Sequence, residues 1–221
     1  MDQRLAQWLQ ANLDQRQVGT RFRIDKYDPT TVEEMLLMCY KSEVEKSGMD
    51  FLSDEPTNEK IHKVSKWLCS GKRYGLLLYG SIGSGKTTLA KAVCTLIGIL
   101  YGNAGSYEDR KGVVRVSALD LANKVAADSG YLSQIKQKEM LFIDDLGVEP
   151  ETVKSWGNEF SPVTELLYYR YDNRLFTIAT SNLGDSDFDK RYGRRIYDRM
   201  EEMFDRLFYT NGSYRINKPS K

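Results

Sequence analysis

Gly75-Leu-Leu-Leu-Tyr79 runs straight into Gly80-Ser81-Ile82-Gly83-Ser84-Gly85-Lys86-Thr87, and this junction decides the fold. The first stretch is a short unbroken apolar run, as suits a parallel strand covered on both faces. The second fits the pattern Gly-x-x-x-x-Gly-Lys-[Ser/Thr], and each part of it has a physical task. The glycines let backbone N–H groups turn inward around the β- and γ-phosphates of a nucleotide, and the following helix adds the positive end of its dipole. Lys86 supplies a point charge to the phosphate oxygens, and the Thr87 hydroxyl is a ligand for Mg²⁺. Thr88 completes the candidate nucleotide-binding stretch. Because the pattern follows a strand and opens a helix, it carries much more weight than a chance match.

Working outward, the same alternation recurs. A helix from about Thr87 to Tyr101 is followed by a polar insertion, Gly102 to Gly112. A strand at Val113–Val116, a helix at Leu119–Ala127 and a second buried strand, Met140–Ile143, come next. A helix at Val163–Tyr171, a third strand at Leu175–Ala179, a helix near Ile196–Phe204 and a short strand at Leu207–Tyr209 complete the series. Strands alternating with helices predict a three-layer α/β fold around a central parallel sheet. Ligands of such sheets bind at the carboxyl ends of the strands. Upstream, residues 1–74 form a helical region distinct from the core at 75–221. Leu5, Trp8, Leu9 and Leu13 share one face of a first helix, suited to a partner helix or to packing on the core. Thr31-Val-Glu-Glu34 reads as a capping box opening a second helix with Val32, Met35, Leu36 and Cys39 inward. Ile61, Val64, Trp67 and Leu68 line a third, stopped by Gly71.

The composition is that of an ordinary globular chain: 221 residues, 41% hydrophobic and 29% charged, with a net charge of +1. No global field points to a polyanion, so any nucleic-acid surface has to be a local patch. Lys124, Lys136, Lys138 and Lys190-Arg191 are the candidate clusters. Three scattered cysteines and one histidine argue against a zinc site and for buried thiols in a reducing cytoplasm. No signal core opens the sequence, and no apolar run approaches the length of a membrane span.

Two acids, Asp144 and Asp145, close the second strand. The first suits Mg²⁺, held through its water shell, and the second suits orienting or deprotonating an attacking water. Thr180-Ser181-Asn182 ends the third strand, where Asn182 is placed to position that water. No Asn-Lys-x-Asp motif for reading guanine is present, so ATP is the expected nucleotide. Arg195 and Arg199 stand four apart on one helix face. They suit either phosphate-directed arginines or a solvated face paired with Asp198, Glu201 and Glu202.

In this order the motifs resemble those of AAA+ ATPases of the bacterial helicase-loader and transposition-helper group. The resemblance covers about Gly75 to Arg215. It rests on the phosphate loop, Phe142-Ile-Asp-Asp-Leu-Gly147, Thr177-Ile-Ala-Thr-Ser-Asn182, the Arg195/Arg199 helix and Ser213-Tyr214-Arg215. It implies a P-loop NTPase fold of the AAA+ type. Asn182 would act as sensor 1, Arg199 with Arg195 as the arginine finger acting in trans, and Arg215 as sensor 2. It also implies an ATP- and Mg²⁺-dependent homo-oligomer on single-stranded DNA, with a replicative helicase or a transposase as client. Asp145 departs from the usual Glu, and Thr88 stands where relatives commonly carry His. Two rivals remain at this stage. One is a small-molecule kinase with the same phosphate cradle, and the other is a nucleotide-gated adaptor with little turnover. The segment Phe22 to Tyr27 is the candidate wall for the adenine.

Overall fold

A computed structural model describes residues 2–14, 22–102, 112–155 and 158–214. Nine helices and seven strands lie among the described residues. The parallel strands are β1 (Gly75–Gly80), β2 (Val114–Ser117), β3 (Met140–Leu146), β6 (Phe176–Ser181) and β7 (Phe204–Tyr209). They form one sheet in the order β2-β3-β6-β1-β7. A short antiparallel pair, β4 (Val153–Ser155) and β5 (Asn158–Phe160), stands apart from it. The central strands β1 and β6 are buried along their whole length; β1 is an unbroken apolar run, and β6 buries Thr177, Thr180 and Ser181 beside Phe176, Ile178 and Ala179.

The helices α2 (Pro29–Lys46), α3 (Glu55–Ser70) and α4 (Lys86–Tyr101) cover one face of the sheet. Val32, Leu36, Ile61, Val64 and Leu68 join Leu89, Val93 and Ile97 in one core with Leu76, Leu78, Phe142 and Ile178. The other face carries α5 (Ala118–Ala127), α6 (Gly130–Lys136), α7 (Pro162–Asp172), α8 (Asp185–Tyr192) and α9 (Arg194–Met203). Its core includes Leu77, Leu121, Leu141, Leu166, Phe188, Ile196 and Met200. No helix among the described residues is long and apolar enough to cross a membrane.

Several boundaries differ from the sequence reading. Helix α2 opens three residues earlier than the expected capping box. Asp28 takes the N-cap, accepting from the Thr30 and Thr31 N–H groups at 3.0 and 3.1 Å. Pro29, with φ already near its helical value, fills the first turn. Likewise Asp54 caps α3 through the Thr57 N–H at 2.8 Å, so that helix opens at Glu55. The α8 segment and the β4–β5 pair are additions that periodicity did not announce. The first helix, α1 (Gln3–Asp14), exposes Leu5 and Trp8. Of the candidate insertion, Gly102 to Gly112, residues 103–111 lie outside the described residues.

Buried Arg170 explains how α7 is fixed to the bottom of the sheet. Its guanidinium donates to Thr177 Oγ1 and to the carbonyls of Lys138, Glu139 and Phe176. Burial draws its pKa down to about 9. With four acceptors around it, the cost of removing the cation from water is offset by charge-assisted hydrogen bonds.

Candidate functional site

The phosphate loop leaves β1 at Gly80 and enters α4 at Lys86. Gly80, Gly83 and Gly85 all have positive φ, at 113°, 75° and 93°. A Cβ on Gly83 would stand 2.1 Å from Ser213 Oγ, and one on Gly85 2.7 Å from the Tyr40 hydroxyl. Conformation and space both require glycine there. The loop is braced from within, since Ser84 Oγ donates to the Ser81 carbonyl at 2.6 Å. Ser81 and Ile82 form its exposed tip, and Thr88 lies half-buried behind it. Lys86 is buried, its Nζ donating to the carbonyls of Gly80 and Ser81 at 3.0 and 2.6 Å. The ammonium therefore lies inside the concavity that the loop encloses.

The two acids reach this loop from β3. Thr87 Oγ1 donates to Asp144 Oδ1 at 2.9 Å, which joins the hydroxyl and carboxylate proposed for one metal. Thr180 Oγ1 donates to the same oxygen at 2.5 Å. It also accepts the Asp145 N–H at 2.9 Å. The sequence reading assigned the end of β6 to Asn182 and gave Thr180 no role. Asn182 is exposed just past the strand, whereas Thr180 is fully buried between the two acids. Strand alternation held the clue, because Asn182 and Thr180 are two apart and share a sheet face. The distance from β6 to β3 was still not legible. Among the described residues no group of three or more His, Cys, Asp or Glu gathers to hold a metal. One carboxylate and one hydroxyl fit Mg²⁺, which keeps water and phosphate oxygens in most of its positions.

The segment after β7 closes the other side of the loop. The Tyr214 N–H donates to the Gly83 carbonyl at 3.0 Å, and Asn211 Nδ2 donates to the Ser84 carbonyl at 3.3 Å. The Tyr214 hydroxyl donates to Asp54 Oδ2 at 2.7 Å and stands 3.1 Å from Thr57 Oγ1. Burial lifts the Asp54 carboxyl, but the hydrogen bonds from Thr57 and Tyr214 outweigh it and hold the pKa below its ordinary value. Burial pushes the Tyr40 phenol up to about 12, which keeps it a neutral hydroxyl beside Gly85. Tyr40, Pro56, Thr57, Lys60, Tyr209 and Tyr214 thus wall a small cavity next to the phosphate loop.

The expected adenine wall, Phe22 to Tyr27, lies elsewhere. Phe22 packs edge-on against Tyr101 and Phe176, with ring centroids 5.2 and 5.4 Å apart. Tyr101 ends α4 and Phe176 opens β6, so this cluster sits at the amino-terminal edge of the sheet, opposite the phosphate loop. The segment 22–27 therefore does not wall the nucleotide site.

The arginine helix lies away from these groups. Arg199 stacks over Tyr168 and Tyr171, 4.5 and 5.0 Å from their centroids, and stands 3.6 Å from Asp172. Exposed Arg195 lies 5.8 Å from the Tyr168 centroid. It is Arg194 that pairs with Asp198. Arg215 lies outside the described residues. The basic clusters are dispersed into local contacts. Lys136 pairs with Glu165, Lys190 with Asp187 at 3.8 Å, and Lys124 lies over Tyr131.

Comparison with known proteins agrees with this architecture. The model of the ATPase family associated with various cellular activities (AAA) matches residues 76–204, more than half of the chain. No curated protein sequence matches. Among solved structures, the DnaC helicase loader is similar at a TM-score of 0.54 and 23% identity, covering 72% of this chain and 92% of its own. A putative primosome component from Streptococcus pyogenes is similar at 0.56 and 20%, covering 75% and 85%. DnaI is similar at 0.51 and 22%, covering 72% and 87%. These likenesses are likenesses of fold.

Proposed function

The chain belongs to the AAA family of ATPases, and from that premise we propose that it hydrolyses Mg²⁺-ATP at a site shared between neighbouring copies, loading or remodelling a client protein on single-stranded DNA. The observation that carries this reading is the hydrogen bond from Thr87 to Asp144, with Thr180 tying Asp144 to Asp145. A hydroxyl on the helix that Lys86 opens and a carboxylate, together suited to one Mg²⁺, stand side by side there, next to a second acid.

Each residue then has a definite task. The phosphate-loop amides and Lys86 hold the phosphates, and Thr87 and Asp144 would hold Mg²⁺. Bound there, the metal supplies charge neutralisation at the β- and γ-oxygens. Asp145 orients the attacking water and accepts its proton, and Asn182, exposed just past β6, positions that water. Asp145 at this place suits water as the acceptor, which favours hydrolysis over a kinase reaction. Arg199, with Arg195 beside it, turns to Tyr168 and Tyr171 of α7, which supports delivery to a neighbour's nucleotide. Arg215 follows Tyr214 directly, and Tyr214 bonds the phosphate loop, which supports a sensing role on its own subunit's nucleotide.

For the client, the solved structures sharing the fold include a helicase loader and a primosome component, which supports a replicative helicase over a transposase. The protein so read is cytoplasmic. The test is ATP turnover per subunit against protein concentration, with and without a single-stranded oligonucleotide. Turnover should rise with both. Mixing Lys86→Ala with Arg199→Ala subunits should restore activity that neither has alone. Flat turnover, indifferent to DNA and to mixing, rejects the shared site.

A further inference from the structure

We propose that Glu149 is a positioning residue for turnover: its buried carboxylate locks the turn that aims Asp145, and Tyr192 and Arg191 at the end of α8 clamp that carboxylate in place. The proposal rests on the ATPase reading above.

The turn needs a lock. Asp145 has φ +56°, in the left-handed region where a side chain is held only when its surroundings fix it. Two residues on, Gly147 has φ +100°, and a Cβ there would meet Leu183 Cδ1 at 2.6 Å. The backbone therefore departs twice from strand geometry at the end of β3. Thr180 holds this backbone from one side, its Oγ1 accepting the Asp145 N–H at 2.9 Å.

Glu149 braces the turn from the other side. It is 4% exposed. Its Oε2 accepts the Gly147 N–H at 2.8 Å, and its Oε1 accepts the Tyr192 hydroxyl at 2.6 Å. The Arg191 guanidinium stands 3.5 Å from Oε1 and also donates to the Glu149 backbone carbonyl. A carboxylate withdrawn from water is costly unless such charge-assisted partners surround it, and here they come from two separate elements. Burial, with Glu149 next to it, holds the Tyr192 phenol far above its ordinary pKa, so it stays a donor. A turn that only reversed the chain would be satisfied by water at no such cost. The arrangement also ties the Asp145 turn to α9, because Gly193 caps that helix immediately after Tyr192. The same clamp therefore sets where Arg195 and Arg199 stand relative to the acid of their own subunit.

The test uses the full chain with Glu149→Gln and, as the milder change, Tyr192→Phe. Three readouts are taken: amide exchange across 145–149, steady-state ATP kinetics, and affinity for a fluorescent ATP analogue. Glu149→Gln should speed exchange at Gly147 by about tenfold or more while Leu141–Ile143 keep their protection. It should lower kcat by about tenfold or more and leave KM and nucleotide affinity within about twofold, as expected of an interaction that matters after binding. Tyr192→Phe should move the same quantities in the same direction, by less. A folded Glu149→Gln protein with unchanged exchange and kcat overturns the proposal. So does a parallel loss of kcat and affinity, which would mark general damage to the site. If the wild-type protein turns over no ATP, the ATPase reading fails, and the exchange result alone still decides whether Glu149 locks the turn.

Discussion

Replacing Thr180 by Val changes almost nothing in shape and removes one hydroxyl from the centre of the site. That hydroxyl is fully buried, donates to Asp144 at 2.5 Å and accepts from the Asp145 N–H at 2.9 Å. Val is a good strand residue, so β6 keeps its backbone, but the swap is not neutral because both hydrogen bonds are lost. The bond to a charged carboxylate is worth about 1.5–3 kcal/mol, and the abandoned N–H costs about 1–3 kcal/mol. Each 1.36 kcal/mol is a factor of about ten in rate. If the Asp144 bond gains its full strength only in the transition state, turnover should fall about 10- to 100-fold. Stability in urea should fall by about 1–3 kcal/mol. Nucleotide affinity should change little, because Lys86 and the loop amides are untouched. Thr180→Ser, which restores the hydroxyl, should recover most of the turnover. Two results would refute the reasoning: a Val variant within about twofold of wild type, or a Ser variant as impaired as the Val variant.

Other changes probe the remaining parts. Asp145→Asn should keep ATP bound while nearly abolishing turnover, as seen by nucleotide retained on the protein after gel filtration; rapid release would argue against its role with the attacking water. Gly83→Ala should lose nucleotide affinity in a titration, because the new methyl meets Ser213 at a residue with φ 75°. Burial pushes the Cys94 thiol up to about 12, so at pH 8 a disulfide reagent should react with half-buried Cys69 before Cys94. Fast labelling of Cys94 in the native protein would contradict that burial. Lowering the pH should loosen the Tyr214 contact. The Asp54 pKa is below its unfolded value of 3.8, so its contribution is full above that value and is lost as the pH falls through the folded pKa. Tyr214 fluorescence should report this only in strong acid, and a transition near neutral pH would point to another group.

The sequence by itself determined the elements whose causes are local. The glycine pattern from Gly80 to Thr87 specifies a loop that only glycine can make, and the apolar runs of β1 and β3, with the largely apolar start of β6, specify a buried parallel sheet. That sheet in turn placed Asp144, Asp145 and the end of β6 at one edge. Helix starts were less legible. The capping-box pattern points to Thr31, yet Asp28 takes the cap because its carboxylate reaches two N–H groups while Pro29 is pre-set for the first turn. Tertiary structure alone decided which side chains meet across long separations. Thr180 finds Asp144 at a separation of 36 residues, Tyr192 finds Glu149 at 43, and Tyr214 finds Asp54 at 160. No periodicity reports such pairs, because strand and helix patterns record only whether a residue faces inward. Which buried donor meets which buried acceptor follows from strand order, and β6 lies between β3 and β1 only in the folded chain.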